Sequence, residues 1–134
     1  MARKVMILGC GRVGAMVAKT LVERGDEVTV IDLDPENFRR LNEGDNLHLL
    51  VGDGTSNDDL RKCGIERCEA FISLTRQDTV NALAGQSALF TFGIKTVVCR
   101  INDSVRRSMY DGMGLRTFSP PEVMTGLVLE ALDR

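Results

Sequence analysis

Three glycines near the start of the chain constrain its fold more than any other feature. Gly9, Gly11 and Gly14 follow the apolar run KVMIL with the spacing G-x-G-x-x-G, and apolar residues then recur at helical spacing. A strand, a tight glycine turn and a helix in this order are typical of the first unit of a Rossmann fold. We expect the turn to hold nucleotide phosphates against the helix N-terminus.

An acidic residue ends the second predicted strand. Asp32 closes the run VTVID and lies 18 residues after Gly14. A carboxylate at this place accepts hydrogen bonds from both ribose hydroxyls of an adenosine and repels a 2′-phosphate, so NAD or a plain adenine nucleotide is favoured over NADP. Arg12, inside the glycine turn, opposes the helix dipole. We expect it to bind a phosphate; a solvated arginine is the alternative.

Strand and helix patterns alternate along the whole chain. The strands are predicted at residues 4–8, 27–31, 47–51, 70–74, 96–101 and 115–118, and the helices at 12–24, 34 to about 44, 57–63, 78–92, 104–111 and from 120 onward. Alternation with apolar strands indicates a parallel sheet covered on both faces. We therefore predict one α/β domain over residues 1–134, a Rossmann-like, doubly wound, mostly parallel six-stranded sheet with helices on both faces.

The composition argues against several classes of protein. Among 134 residues, 43% are hydrophobic and 27% charged, and the net charge of −2 provides no basic surface for nucleic acid or anionic membrane. The four cysteines (Cys10, Cys63, Cys68 and Cys99) include no C-x-x-C pair, and His48 is the only histidine. We expect no metal site, no disulfide framework and no membrane insertion. The N-terminus has no signal-peptide pattern, which favours a cytoplasmic location.

No residue pattern for catalysis accompanies the glycine motif. Tyr110 is the only tyrosine, and Gly114 stands where a Tyr-x-x-x-Lys pair would need its lysine. His48 falls within a predicted strand, as a core or surface histidine would. An enzyme also needs a second lobe to orient a substrate. We predict a binding module without catalytic residues; the alternative is the cofactor half of an NAD-dependent oxidoreductase.

An ordered set of motifs resembles one known family. The set is Gly-x-Gly-Arg-x-Gly, Val-x-Val-Ile-Asp, Gly-Asp-Gly-Thr, Asn81 near a helix start, Val-Val-Cys-Arg-Ile and the step Pro121-Glu122. It resembles the regulator-of-potassium-conductance domain, also called KTN or TrkA-N. The resemblance implies a cytosolic Rossmann subunit that binds NAD(H), ADP or ATP and regulates a potassium transporter or channel. The smaller C-terminal ligand domain of many members is expected to be absent from residues 1–134.

The resemblance also implies a set of nucleotide-binding residues. The predicted site comprises Gly9, Cys10, Gly11, Arg12, Val13, Gly14, Asp32, Leu33, Asp53, Gly54, Thr55, Thr75, Arg76 and Arg100. Asp53 with its two neighbours would line an adenine pocket, and Thr75, Arg76 and Arg100 would contact the distal half of a dinucleotide. For Asp53 the alternative is a turn cap, and for Arg100 a structural ion pair.

Three further expectations concern Cys10, Glu122 and partners. The Cys10 thiol abuts the phosphate site, and we expect it to be buried and inert. Glu122 matches a step that helps bind a cation in some family members; an ordinary acid in a first helical turn is the preferred interpretation. The partner implied is a membrane potassium transporter or channel subunit, which would hold the protein at the inner face of the membrane.

Self-association is expected through the later helices. Their apolar residues exceed what a simple covering helix needs, although core packing is the alternative explanation; they are Leu83, Leu89, Phe90, Met109 and Met113. Symmetric assembly is the common state of such subunits. We expect a dimer or a ring of dimers.

Overall fold

The computed structural model describes residues 2–134 and contains one six-stranded sheet. The strands are β1 (Lys4–Leu8), β2 (Glu27–Asp32), β3 (Leu47–Val51), β4 (Ala70–Ser73), β5 (Thr96–Arg100) and β6 (Arg116–Phe118). Their order across the sheet is β3-β2-β1-β4-β5-β6, and all neighbouring pairs run parallel. The predicted fold class is confirmed. The strand order reverses between β1 and β4, which opens a crevice at their carboxyl ends.

Helices connect the strands on both faces of the sheet. They are α1 (Arg12–Glu23), α2 (Asn57–Lys62), α3 (Asp78–Gln86), α4 (Ser104–Asp111) and α5 (Pro120–Leu132). Short 3-10 turns occupy Pro35–Arg40 and Ile65–Arg67, and a π-helical turn, Ser87–Thr91, extends α3.

Two predicted helices differ from those in the structure. The segment after β2 forms only the 3-10 turn, capped by Asp34, because Leu41 returns to extended backbone; an α-helix reaching Gly44 was the wrong prediction. The helix predicted at 78–92 changes to π geometry, with Phe92 N–H donating to the Ser87 carbonyl at 3.0 Å. Neither segment contains an internal proline, although Gly85 weakens the helix just before the π-helical turn.

The sheet buries a separate apolar cluster on each face. Along β1, Met6 and Leu8 belong to the cluster beneath α2 and α3, whereas Val5 and Ile7 belong to the cluster beneath α1. Because successive side chains of a strand point to opposite faces, a continuous apolar run is what a sheet covered on both sides requires.

The last helix, α5, packs little against the rest of the fold. None of the α5 residues is buried. On the α1 face of the sheet, Ile72, Val98 and Phe118 of the last three strands stay only half-buried. The structure therefore contains both an exposed apolar helix and an incompletely covered sheet face. Among residues 2–134, no helix is long and apolar enough to cross a membrane.

Replacing valine by alanine on two neighbouring strands tests the position of the core. Val30 on β2 is 0% exposed and Val51 on β3 is 59% exposed. We expect Val30→Ala to lower the free energy of unfolding by about 2 kcal/mol, from lost apolar burial and the cavity left behind. Val51→Ala serves as the matched control and should cost less than about 1 kcal/mol. Urea denaturation measures both; equal losses would contradict this core.

Candidate functional site

The glycine turn brings α1 unusually close to β1. Gly9 has a φ of 104°, a left-handed conformation that favours glycine, and its N–H donates to the Ile31 carbonyl at 2.8 Å. A Cβ on Gly14 would overlap the Gly9 carbonyl oxygen, so only glycine fits there. These two positions set the distance between the first strand and its helix.

Gly11 has a different role, because it faces open space. A Cβ built on this residue meets no protein atom within 4 Å. Gly11 is also the N-cap of α1, and no side chain caps that helix end. The first backbone N–H groups of α1 are therefore directed toward the crevice without a protein acceptor from a side chain, as an approaching phosphate would require.

Asp32 ties the glycine turn to the end of β2. Its Oδ2 accepts from the Cys10 N–H at 2.8 Å, and its Oδ1 accepts from the Asp34 N–H at 2.9 Å and from Asn37 Nδ2 at 3.0 Å. A carboxylate has about four acceptor positions. Three are used by the protein, which leaves capacity for one ribose hydroxyl rather than the two expected from the sequence.

A buried amide organises the other side of the crevice. Asn81 is 0% exposed, and its Nδ2 donates to the carbonyls of Thr75 and Arg100, each at 2.9 Å. Its Oδ1 accepts from the Thr75 N–H at 2.9 Å and from the Thr75 hydroxyl at 2.7 Å. One side chain thus fixes the segment after β4 to the end of β5. In the sequence, Asn81 stands out only as part of a motif, which indicates no role for its side chain.

These elements enclose a cleft of about 890 Å³ at the carboxyl edge of the sheet. This volume lies within the range typical of small-molecule sites. All fourteen residues predicted for the site line the cleft, namely Gly9, Cys10, Gly11, Arg12, Val13, Gly14, Asp32, Leu33, Asp53, Gly54, Thr55, Thr75, Arg76 and Arg100. The fold brings every one of them together.

Seven further residues line the cleft that the sequence did not indicate. They are Leu8, Asn37, Arg39, Arg40, Leu74, Gln77 and Val80. Asn37, Arg39 and Arg40 lie in the 3-10 turn after β2, which places them beside Asp32. Their position in the sequence, just after the acid that ends β2, is the feature that could have indicated them as cleft residues. The longer helix predicted for this segment does not by itself direct these side chains to the cleft.

The cleft is strongly basic although the chain is acidic. Five arginines and two aspartates line it, whereas the net charge of the whole chain is −2. Within residues 2–134, none of the five arginines (Arg12, Arg39, Arg40, Arg76 and Arg100) forms an ion pair. Guanidinium groups without a carboxylate partner, gathered around an uncapped helix N-terminus, favour an anion with several phosphate oxygens.

The structure decides two alternatives left open by the sequence. Asp53 does cap its turn: its Oδ1 accepts from the Thr55 N–H at 2.9 Å and hydroxyl at 2.7 Å, and these bonds lower the pKa of the Asp53 carboxyl. It lines the cleft as well. Within the described residues, Arg100 forms no structural ion pair; its Nε donates to Asn102 Oδ1 at 3.2 Å.

The structure shows the surroundings of Cys10 and Glu122. Cys10 is buried, and its burial, with a smaller contribution from Asp32, raises the pKa of the thiol. The expectation of a buried side chain is confirmed. Glu122 Oε2 lies 3.1 Å from Arg107 Nε, an ionic contact too bent for a hydrogen bond. Glu122 does not line the cleft. Over residues 2–134, no cluster of three or more potential metal ligands occurs.

Comparison with known proteins agrees with this architecture. Residues 5–120 match the model of the TrkA-N domain family. The Trk system potassium uptake protein TrkA of Streptomyces coelicolor is 39% identical over 113 residues, which cover 84% of this chain and 51% of that protein. TrkA of Azorhizobium caulinodans is 31% identical over 138 residues, covering 97% of this chain and 30% of that protein. The chain thus spans about half the length of the first relative and less than a third of the second.

Solved structures share the fold at low sequence identity. The TrkA-N domain of the inner membrane protein ybaL from Escherichia coli has a TM-score of 0.86 at 15% identity, with 98% of each chain covered. GsuK bound to ADP has a TM-score of 0.81 at 23% identity, over 94% of this chain and 32% of that one. The Bordetella bronchiseptica enzyme WbmH in complex with NAD+ has a TM-score of 0.62 at 24% identity, over 75% and 39% of the two chains.

The fold and the glycine cleft define a Rossmann-like domain of the nucleotide-binding type. The family match narrows this class, because it covers most of the chain and includes the glycine turn, Asp32 and Arg100. The chain belongs to the TrkA-N domain family.

Replacing Gly11 or Gly14 by alanine distinguishes an effect on nucleotide binding from an effect on the stability of the fold. Gly11 has φ −81° and ψ −163°, which alanine adopts freely. We expect Gly11→Ala to change stability by less than about 0.5 kcal/mol, yet to weaken nucleotide binding at least about tenfold by placing a methyl group in the cleft. Gly14→Ala should cost at least about 2 kcal/mol through overlap with Gly9. Thermal unfolding and calorimetric titration with ADP measure both effects; unchanged binding in Gly11→Ala would contradict the assigned phosphate position.

Proposed function

We propose that this chain is the nucleotide-binding unit of a cytoplasmic regulator of potassium transport, and that its ligand is NAD(H) or an adenosine phosphate, ADP or ATP. Its membrane partner would be a potassium transporter or channel subunit, which holds it at the inner face of the membrane. The named TrkA relatives support the potassium role, and GsuK bound to ADP supports an adenine nucleotide in this fold.

One observation carries the proposal: a basic cleft whose geometry matches the parts of an adenine nucleotide. The uncapped start of α1 and Arg12 would bind phosphates, and the free acceptor position of Asp32 would bind the ribose. Asp53, held in its turn by Thr55, would face the adenine. The remaining predicted residues, from Thr75 to Arg100, would contact the far end of the ligand.

The second candidate is a cofactor-binding part of an NAD-dependent oxidoreductase. WbmH, an enzyme solved with NAD+, shares the fold and supports this alternative. The cleft itself argues against it, because its lining includes no histidine, lysine or tyrosine among the described residues. Its two carboxylates, Asp32 and Asp53, already accept hydrogen bonds from neighbouring groups. The Cys10 thiol also lines the cleft, but it is buried and burial raises its pKa, which disfavours it as a base.

We further propose that two copies associate through α5 and the later helices. Four of the five apolar residues singled out in the sequence, Leu83, Phe90, Met109 and Met113, are exposed; Leu89 instead packs against the core. The α5 helix adds six large apolar side chains that no part of the described chain covers: Val123, Met124, Leu127, Val128, Leu129 and Leu132. A helix apolar on most of its circumference needs a partner surface.

The same chain provides a surface that such a helix would fit. The α1 face of the sheet is only half-covered over its last strands, at Ile72, Val98 and Phe118. In a symmetric pair, each copy would supply a helix and receive one, which is the self-complementary arrangement that two-fold symmetry requires. A second copy is therefore the occupant that accounts for both exposed surfaces.

A bound nucleotide would act on this assembly by binding one geometry of the pair more tightly than another. A ligand shifts an equilibrium between two pair geometries only by the difference in its binding free energy for them, typically about 1–3 kcal/mol. The cleft lies at the carboxyl edge between the glycine turn and the segment after β4, so a change in either segment alters ligand contacts. No catalytic turnover is needed for such regulation.

Thermal unfolding with a panel of nucleotides tests the site. A ligand at about 100 times its Kd should stabilise the native state by about 2.7 kcal/mol. We expect this from NAD+, NADH, ADP or ATP, and not from NADPH. In Asp32→Ala, the ligand-induced shift should be lost, whatever the stability of the unliganded variant. Asp45→Ala, outside the cleft, is the control that should keep the shift.

The panel separates the two candidate functions when turnover is followed in parallel. Absence of a shift with every nucleotide contradicts a working site. Oxidation or reduction of a nicotinamide cofactor in the presence of small-molecule substrates would instead support the oxidoreductase.

Introducing a charge into α5 tests self-association. Leu127 is 60% exposed, so Leu127→Asp should leave the fold of one copy intact while it adds a charge to a buried interface. We expect sedimentation velocity to show a dimer or larger assembly for the original chain and a monomer for Leu127→Asp. Val51→Asp, on the exposed edge strand far from α5 in the sheet order, should leave the assembly unchanged. An unaltered assembly in Leu127→Asp would rule out this interface.

A further inference from the structure

The half of the cleft farthest from Asp32 has its own chemistry. It is formed by the segment after β4 and the end of β5, where Thr75, Arg76, Gln77, Val80 and Arg100 line it. Two of these five side chains are guanidinium groups, and Val80 is the one that is wholly apolar. No aromatic ring lines the cleft among the described residues.

The backbone segments that carry the two arginines are joined by one set of hydrogen bonds. Asn81 joins the carbonyl of Arg100 to the backbone of Thr75, the residue before Arg76. Because β4 and β5 pair in parallel with Ser73 opposite Cys99, both arginines lie at the same edge of the sheet. The segments that bear them are therefore fixed relative to each other before any ligand arrives.

Arg100 is oriented further by its own side-chain contact. Its Nε donates to Asn102 Oδ1, and the Asn102 N–H donates to Asp78 Oδ1 at 2.9 Å. The Asp78 carboxylate also accepts from the Asp103 N–H at 3.1 Å, so it is directed at backbone groups rather than at a guanidinium. Nη1 and Nη2 of Arg100 form no ion pair in the described chain and are the parts that remain for a ligand.

This chemistry discriminates between the ligands that the proposed function allows. A dinucleotide would place its nicotinamide riboside in the distal half, beside two cations and without a ring to stack on; the oxidised ring is itself cationic. A triphosphate would place further phosphate oxygens there, which are the preferred partners of guanidinium groups. The two positive charges and the lack of a stacking ring both favour a phosphate group over a nicotinamide riboside in this half of the cleft.

We propose that Arg76 and Arg100 bind the terminal phosphate of ATP, and that the site thereby selects ATP, and more weakly ADP, over NAD(H). Asn81 and Asn102 are positioning residues for this contact. The inference rests on the proposed nucleotide-binding function and names its ligand. It assigns the distal half of the cleft to phosphate recognition instead of dinucleotide binding.

Calorimetric titration of the full chain with AMP, ADP, ATP, NAD+ and NADH, with and without Mg²⁺, tests the order of affinity. We expect ATP to bind most tightly, followed by ADP, then AMP, with both forms of the dinucleotide weaker than ADP. Equal or tighter binding of NAD+ or NADH than of ADP overturns the inference but leaves the proposed function intact. Absence of binding by all five ligands overturns both.

Two variants identify the residues responsible. Loss of one charged hydrogen-bonding partner should weaken ATP binding at least about tenfold in Arg76→Gln and in Arg100→Gln, and AMP binding less than about twofold. Arg100→Lys, which keeps the charge, should recover part of the ATP affinity. Arg24→Gln, at an exposed arginine outside the cleft, is the control that should bind ATP as the original chain does.

Comparing ATP with AMP distinguishes the loss of a terminal-phosphate contact from general damage to the fold or the cleft. A variant that weakened AMP and ATP by the same factor would show that the arginine shapes the whole cleft, and would overturn its assignment to the terminal phosphate. The affinity order of the original chain is independent of any variant.

Discussion

The close approach of α1 to β1 is the constraint on which the rest of the site depends. Gly14 leaves no space for a Cβ beside the Gly9 carbonyl, and Gly9 itself needs a left-handed backbone. Asp32 then accepts from the Cys10 N–H and so fixes this turn to the end of β2. Through these contacts, the N-terminus of α1 is directed into the crevice at which the strand order reverses. The phosphate contacts proposed at the start of α1 require that direction.

The opposite wall of the cleft is built in a different way. It relies on buried polar side chains rather than on glycines, with Asn81 bonded to both Thr75 and Arg100. A buried amide whose hydrogen bonds are all satisfied specifies one arrangement of its neighbours, because any other leaves polar groups without partners. One wall therefore brings the backbone close to the ligand, and the other presents charged side chains in fixed positions. An acidic chain can in this way hold a basic cleft.

The α5 helix connects the fold to assembly. Two polar contacts hold its start to the domain: Oγ of its N-cap residue Ser119 donates to the Asn102 carbonyl, and Glu122 pairs with Arg107. Its apolar side chains point away from the chain's own core. Asn102 also bonds the Arg100 side chain, so one loop contacts both the cleft and the residue before α5. Binding and assembly, both proposed here, would thus involve neighbouring parts of the same structure.

The sequence by itself determined the fold class, the glycine turn and the acid after β2, because glycine spacing and apolar strands are local signals with direct physical causes. With the family resemblance it also indicated fourteen of the residues that line the cleft. It also located the apolar residues of the later helices. Tertiary structure alone decided what depends on neighbours distant in the chain. It shortened the segment after β2 to a 3-10 turn, and Arg39 and Arg40 of that turn line the cleft. It also packed Leu89 half-buried against the core while leaving Phe90 exposed. It also gave Asn81 its partners 6 and 19 residues away. No local pattern encodes such contacts, since each exists only when the strands of the sheet are assembled in order.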